Sequence, residues 1–192
     1  MNGFPCDMEA LLSIAKEHDL VVIEDCSHAH GALYHGKRVG SLGHMGAFSF
    51  QHRKNMSLGE GGIVITRHEH FAEPMRAIRS FGNARMTYNY RISEFHGAIG
   101  KIRLKKLDQM NLTRHENAEI LTTEFTDLDG LSPLQTREGC RSVYYNYVLL
   151  YDEAKMGIDR SRFKDAVNAE GVELISMYSP LHRHPIMKER NA

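Results

Sequence analysis

The chain has 192 residues, with 24 Lys plus Arg against 24 Asp plus Glu and a formal net charge of zero. That length can build one good core or two small ones, and the charge balance argues against a dedicated nucleic-acid or polybasic membrane surface while leaving room for a local basic pocket. The apolar runs are too short to span a bilayer, Met1-Asn2-Gly3 opens no signal peptide, and the three widely spaced cysteines, Cys6, Cys26 and Cys140, suit reduced thiols in the cytoplasm.

In chain order, Asp7 to His18 is predicted as an amphipathic helix capped by Asp7, with Met8, Leu11, Leu12 and Ala15 on one face. Leu20–Glu24 follows as a buried strand. A helix leading into a strand, with no strand of its own before it, suits a chain that begins midway through an α/β domain. Cys26 to His35 is predicted as a loop, in a stretch punctuated by Gly31, Gly36, Gly40 and Gly43. Gly46–Phe50 is a second buried strand, and Gly62–Thr66 is a third, short strand after the turn Gly59-Glu60-Gly61-Gly62. His68 to Ser80 has Phe71, Met75 and Ile78 at helical spacing, with Gly82 as its C′ residue.

Asn83 to Ile92 is polar, aromatic and irregular. Ser93 is predicted to cap a long helix bearing Phe95, Ala98, Ile99, Ile102 and Leu107. Helical character is expected to run to about Phe125, with Asn111 as a candidate break. Asp127 to Arg141 reads as loop, Val143 to Tyr151 as an aromatic-rich strand, Asp159 to Glu170 as a capped helix and Val172 to Ile175 as a last strand. No internal repeat or low-complexity tract is present.

Ligands of parallel α/β sheets bind at the carboxyl ends of the strands. Asp25 stands at the end of one predicted strand and Lys54 just past another. An acid and a lysine so placed suit pyridoxal 5'-phosphate (PLP), which needs a lysine for its Schiff base and an acid against its pyridinium nitrogen. Taken singly, each has an ordinary reading, Asp25 as a turn residue and Lys54 as a solvated cation. Lys37, in a Gly-flanked turn, is a weaker rival. A second class of function is metal binding, by His28-x-His30 with Asp25 or by His182-x-His184, although Gly31 after His30 favours a turn and no further ligand is set by spacing. Gly59–Gly62 lacks the Gly-Lys-Ser/Thr ending of a P-loop and the Gly-x-Gly-x-x-Gly spacing. Cys26 reads as a small packing residue rather than a reactive thiol.

Several motifs fall in one order: Glu24-Asp25-Cys26-Ser27-His28-Ala29-His30-Gly31-Ala32, Val39-Gly40-Ser41, Phe48-Ser49-Phe50, Lys54, Gly59-Glu60-Gly61-Gly62 and Tyr88-Asn89-Tyr90-Arg91, with a weaker match at Tyr178-Ser179-Pro180-Leu181-His182. Together they resemble the DegT family of PLP-dependent sugar aminotransferases, which has the aspartate aminotransferase (type I) fold. The resemblance implies an α/β protein: a partial large, cofactor-binding domain over residues 1–110, mostly a parallel sheet with helices, and a partial small α/β domain over residues 111–192.

It also implies roles. Lys54 would form the Schiff base and carry a proton between substrate and cofactor carbons. Asp25 would keep the ring nitrogen charged. Ser49 would donate to the cofactor phosphate, from the strand face opposite Phe48 and Phe50. His28 stands where the family usually has Gln beside the ring oxygen, a departure that keeps a donor. Asn89 and Arg91 match a segment that reaches into a partner's site, with Asn89 towards the phosphate, so a homodimer is implied; Tyr88 and Tyr90 read as packing residues. The implied donor is glutamate or glutamine, the acceptor a keto group on a nucleotide-linked sugar or a cyclitol, and no metal is needed. Tyr178, His182 and Arg183 would either line the substrate mouth or sit in a surface loop held by Pro180 and Pro185. The family chain is roughly twice as long, so this sequence corresponds to its middle. Low or no turnover is expected of the chain alone, and the alternative function is a non-catalytic fragment that binds PLP or a partner subunit.

Overall fold

The computed structural model describes residues 1–81 and 86–189; the expected C′ residue Gly82 lies outside them. The elements in order are α1 (Met8–Glu17), β1 (Ile23–Asp25), β2 (Leu33–Tyr34), β3 (Lys37–Arg38), β4 (Met45–Ser49), β5 (Gly62–Thr66), α2 (Glu69–Arg79) and α3 (Glu94–Phe125). Then follow β6 (Leu131–Pro133), β7 (Cys140–Arg141), β8 (Leu149–Tyr151), α4 (Glu153–Met156), α5 (Arg160–Ala169), a 3₁₀ turn at Leu181–Arg183 and α6 (Pro185–Glu189). The chain is α/β and divides into two compact units, Met1–Asp127 with Pro133–Leu149, and Leu128–Ser132 with Leu150–Ala192. Among the described residues no helix is long and apolar enough to cross a membrane.

In the first unit, Asp7 caps α1, its Oδ1 accepting from the Ala10 N–H at 3.2 Å. The same carboxylate accepts from Arg137 at 2.5 Å, which ties the helix start to a segment 130 residues away. β1 and β4 are parallel, with Asp25 level with Ala47. β4 and β5 are antiparallel, with Ser49 level with Gly62, and β2 pairs antiparallel with β3 and β7. The mostly parallel sheet expected from the resemblance is therefore not what these residues form. Residues 50–61 lead from β4 back to β5 without a crossover helix, ending in a turn in which Gly59 and Gly61 both take positive φ, and β5 re-enters antiparallel, as a parallel return would have needed a crossover.

β1 is also shorter than the predicted strand. Val22 donates its N–H to His44 Nδ1 at 3.0 Å and its carbonyl accepts from the His44 and Met45 N–H groups, so the ladder begins at Ile23. The main core gathers Met8, Cys26, Ala29, Ala32, Tyr34, Val39 and Val143. A second cluster packs Phe50, Met56, Leu58 and Leu107. Gly40, at φ +86°, lies against Gly46 so closely that a Cβ on either would collide, with the Phe48 ring at Gly40 and with the Gly40 carbonyl at Gly46. On β5, Ile63, Val64 and Ile65 are all exposed.

α3 is unbroken. Asn111, the candidate break, is instead buried and donates from Nδ2 to the His30 carbonyl at 2.8 Å, while its Oδ1 has no hydrogen-bond partner among the described residues; the helix runs through it uninterrupted. Ser93 takes the N-cap position without a side-chain cap bond; its hydroxyl pairs with His96 Nδ1 at 2.7 Å.

Three expectations for the later chain are corrected. Asp127 to Arg141 is not all loop, since it carries β6 and β7. Val143 to Tyr151 is strand only at Leu149–Tyr151, because Tyr144 takes a left-handed φ of 43° that no extended run can contain. Val172 to Ile175 forms no strand: Leu174 spends its N–H on Asn168 Oδ1 at 2.6 Å, and Val172 and Ile175 are exposed. The second unit holds most of β6 and β8, which pair as a two-stranded sheet. It also holds α4, capped by Asp152, and α5, whose Asp159 cap accepts from Ser161 and Arg162.

Candidate active site

Because β1 and β4 run parallel, their carboxyl ends share one edge, with Asp25 last in β1 and Ser49 last in β4. Alternation sends neighbouring side chains of β1 to opposite faces. Glu24 turns inward, where its buried carboxylate accepts three backbone N–H groups: Gly40 at 2.7 Å, Leu42 at 2.7 Å and Gly43 at 2.6 Å. This clamp holds the 39–43 loop beneath the strand ends. Asp25 turns outward, and its Oδ1 accepts from the Ser27 N–H at 3.0 Å and the Ser27 hydroxyl at 2.6 Å. Those bonds, the hydroxyl first, hold the carboxyl below the usual carboxylate range. Oδ2 makes no hydrogen bond among the described residues.

Lys54 closes a turn after β4, donating its N–H to the Gln51 carbonyl at 2.9 Å. Its ammonium lies over the Tyr145 ring, 5.0 Å from the centroid. The same ring stacks on His28, with centroids 3.9 Å apart and planes 21° apart. His28 Nδ1 accepts from the Asn2 N–H at 3.3 Å, an arrangement that assigns the ring proton to Nε2. Burial, and then the Lys54 cation, push the His28 imidazole below its ordinary pKa, while Asp25 pulls the other way. His28 thus feels both the Lys54 cation and the Asp25 carboxylate at this edge.

Tyr145 reaches the edge on a strap, residues 142–146, sewn down at four points. The Val143 N–H donates to the Gly3 carbonyl at 3.1 Å. Asn55 Nδ2 donates to the Val143 carbonyl at 3.0 Å. The Asn146 N–H and Nδ2 donate to the Asn2 carbonyl and Oδ1, at 3.4 and 3.0 Å.

Ser49 Oγ accepts from the Gln51 N–H at 3.3 Å. His30 is only 3% exposed, with its ring between Phe48 and Phe50 and no hydrogen bond to either ring nitrogen among the described residues; burial pushes it down to about 4. His28 and His30 therefore do not share a site, and no group of three or more His, Cys, Asp or Glu residues could hold a metal ion among the described residues. Cys26 is buried and its thiol is pushed up to about 12. Lys37 lies exposed on β3. Asn89 is not drawn into the cluster: it accepts from Arg91 Nε at 2.9 Å. Tyr88 and Tyr90 stack on each other with centroids 4.8 Å apart but are exposed rather than packed in a core. Tyr178, His182 and Arg183 are exposed in the second unit. A cavity of about 420 Å³ between α3 and the 134–144 segment is lined by His115, Glu119, Thr136 and Arg141 among others, and by none of the candidates.

Sequence reasoning missed Tyr145, Asn2, Asn55 and the Glu24 clamp. A signal for the clamp exists: a carboxylate on the core face of a strand has to be satisfied by donors. None marks Tyr145, which lies far from Lys54 and His28 in sequence.

The DegT/DnrJ/EryC1/StrS aminotransferase family model matches residues 1–192. An L-glutamine:2-deoxy-scyllo-inosose aminotransferase of Streptoalloteichus tenebrarius is 36% identical over 92% of this chain and 46% of its own length. GDP-perosamine synthase of Escherichia coli O157:H7 is 30% identical over 99% of this chain and 53% of its own. Among solved structures, DesV of S. venezuelae, crystallised with a ketimine intermediate, superposes with a TM-score of 0.90 at 30% identity over 98% of this chain and 52% of that one. The chain spans about half the length of these relatives.

Proposed function

The chain belongs to the DegT/DnrJ/EryC1/StrS aminotransferase family, and from that premise we propose that it carries the cofactor lysine and ring-nitrogen acid of a PLP-dependent aminotransferase. The donor would be glutamine or glutamate, and the acceptor the keto group of a cyclitol or a nucleotide-linked sugar. The relatives' own names support those classes, with L-glutamine and scyllo-inosose in one and a GDP-sugar in the other.

The family is PLP-dependent, and the donor set at the β1–β4 edge fits that group. Asp25 stays ionised, is held on one oxygen by Ser27 and keeps Oδ2 open to accept from a charged ring nitrogen. Lys54 would supply the amine, Ser49 a hydroxyl for the phosphate and His28 the Nε2–H donor beside the ring oxygen. When bound, the cofactor supplies an electron sink for the carbon that loses its proton.

The residues do the rest. Asp25, ionised and open at Oδ2, would accept from a protonated ring nitrogen and favour that charged form. Lys54, when its amine is free, would hold and move the proton at the donor or acceptor carbon. Glu24 fixes the 39–43 loop through its three backbone bonds. Asn89, exposed and free of the cluster, would serve a neighbouring subunit's site in a homodimer.

The observation that carries this reading is the meeting of Lys54 and His28 on the Tyr145 ring at the strand edge that ends in Asp25. A second reading, a PLP-binding or partner-binding stretch without turnover, is favoured by the exposed Ile63, Val64 and Ile65 of β5. The test is amino transfer from glutamine to a keto cyclitol and, separately, to a nucleotide-linked keto sugar, with Asp25→Asn alongside. Product from one acceptor, with a large loss in the variant, supports the enzyme reading. PLP binding with no product from either acceptor supports the second.

A further inference from the structure

A lysine that bonds a cofactor has to be held at one point, yet its four-carbon stem has large rotamer freedom. Among the described residues the Lys54 ammonium makes no ion pair and no hydrogen bond; the contact that fixes it is the Tyr145 ring at 5.0 Å. Tyr145 is itself fixed, by the stack on His28 and by the bonds that sew its strap to Asn2, Gly3 and Asn55. Asn55 directly follows Lys54, so one hydrogen bond sets the spacing between the lysine's backbone and the strap that carries the ring.

Resting on the reading of Lys54 as the cofactor lysine, we propose that Tyr145 is a positioning residue of the cofactor site. Its ring holds the Lys54 ammonium at the edge where His28 and Asp25 converge. The ring, not the hydroxyl, does this, since a cation is attracted by the π face. Tyr145 also keeps His28 in plane by stacking, so that Nε2–H points one way.

The test maps which lysine PLP chooses. The chain is mixed with substoichiometric PLP; a lysine amine condenses with the aldehyde and releases water. Borohydride then adds hydride to the C=N bond, a proton from water completes a stable secondary amine, and the labelled lysine is identified in peptides. In the wild type the label is expected mainly on Lys54. Tyr145→Leu should lower the Lys54 share relative to other lysines by about twofold or more, because the side chain then regains the rotamer freedom that the ring restricts. Tyr145→Phe, which keeps the ring, should restore the wild-type share. A merely structural role would move both variants together or change folding without changing the choice of lysine, so far-ultraviolet circular dichroism is recorded for each. Should Tyr145→Leu not fold, Tyr145→Met fills more of the space without a π face and carries the same test.

An unchanged Lys54 share in Tyr145→Leu overturns the role of Tyr145 alone. So does a Tyr145→Phe protein as indiscriminate as the Leu variant. A wild type labelled without preference for Lys54 overturns both this inference and the cofactor reading beneath it.

Discussion

Asn55 donates from Nδ2 to the carbonyl oxygen of Val143 at 3.0 Å, a buried hydrogen bond between residues 88 apart in sequence. It joins the residue after Lys54 to the strap that carries Tyr145. Replacing Asn55 by Ala leaves the Val143 carbonyl buried without that donor, which costs about 1–3 kcal/mol. Urea unfolding of Asn55→Ala should show a lower midpoint with an unchanged slope. An unchanged midpoint would mean that the strap is held without this bond.

Glu24 is the second structural pivot. Its carboxylate serves three N–H groups of the 39–43 loop at once. Glu24→Gln keeps the shape but brings an NH₂ group against backbone donors, and hydrogen bonds to charged groups are worth about 1.5–3 kcal/mol each. We expect a loss of about 3 kcal/mol or more by chemical denaturation, and faster amide hydrogen exchange at Gly40, Leu42 and Gly43. Protection at those three amides equal to the wild type would sink the clamp.

His30 makes stability depend on pH. Its imidazole is pushed down to about 4 by burial, from an ordinary value of 6.5. Between those values the unfolded chain binds a proton that the folded chain refuses, so stability is full above 6.5 and falls as the pH drops towards 4. The loss over that window is roughly 3 kcal/mol. The carboxylate of Asp25, with its lowered pKa, withdraws its own contribution only below its ordinary value of 3.8, so the two effects separate. In His30→Leu the slope of unfolding free energy between pH 6.5 and 4 should flatten. A slope as steep as the wild type's would assign the effect to another group.

Cys26 should be chemically silent. It is 2% exposed, and burial, with the Glu24 and Asp25 charges, pushes its thiol to about 12. Against an ordinary value of 9.0 the thiolate fraction falls roughly a thousandfold. Iodoacetamide at pH 8 should label exposed Cys6 first, Cys140 more slowly and Cys26 only in denaturant; mass mapping reads the order. Rapid labelling of Cys26 in the folded protein would contradict the packing.

Much of the local structure was legible in the sequence, and its limits have physical causes. Asp7 and Asp159 mark helix starts because a carboxylate before an apolar repeat satisfies free N–H groups. The end of α3 at Phe125 follows from helical spacing, and β5 from a short apolar run bounded by a glycine-rich turn. Val22 and Leu174 defeated the strand reading because their N–H groups go to the side chains of His44 and Asn168, which composition does not reveal. Tyr144 defeated it through a left-handed backbone in an aromatic run that reads as extended. At the candidate site, the motif order singled out Asp25, His28, Ser49, Lys54 and Asn89. The contact that joins two of them runs through Tyr145, brought in by hydrogen bonds across long separations that no local pattern encodes.

The central claim is that Lys54 bonds the cofactor at this edge. It is tested most directly by titrating the purified chain with PLP while recording absorbance, beside Lys54→Ala. The account predicts a Schiff-base band that saturates in the wild type and is lost in the variant. An equal band in both proteins, or none in either, would contradict it.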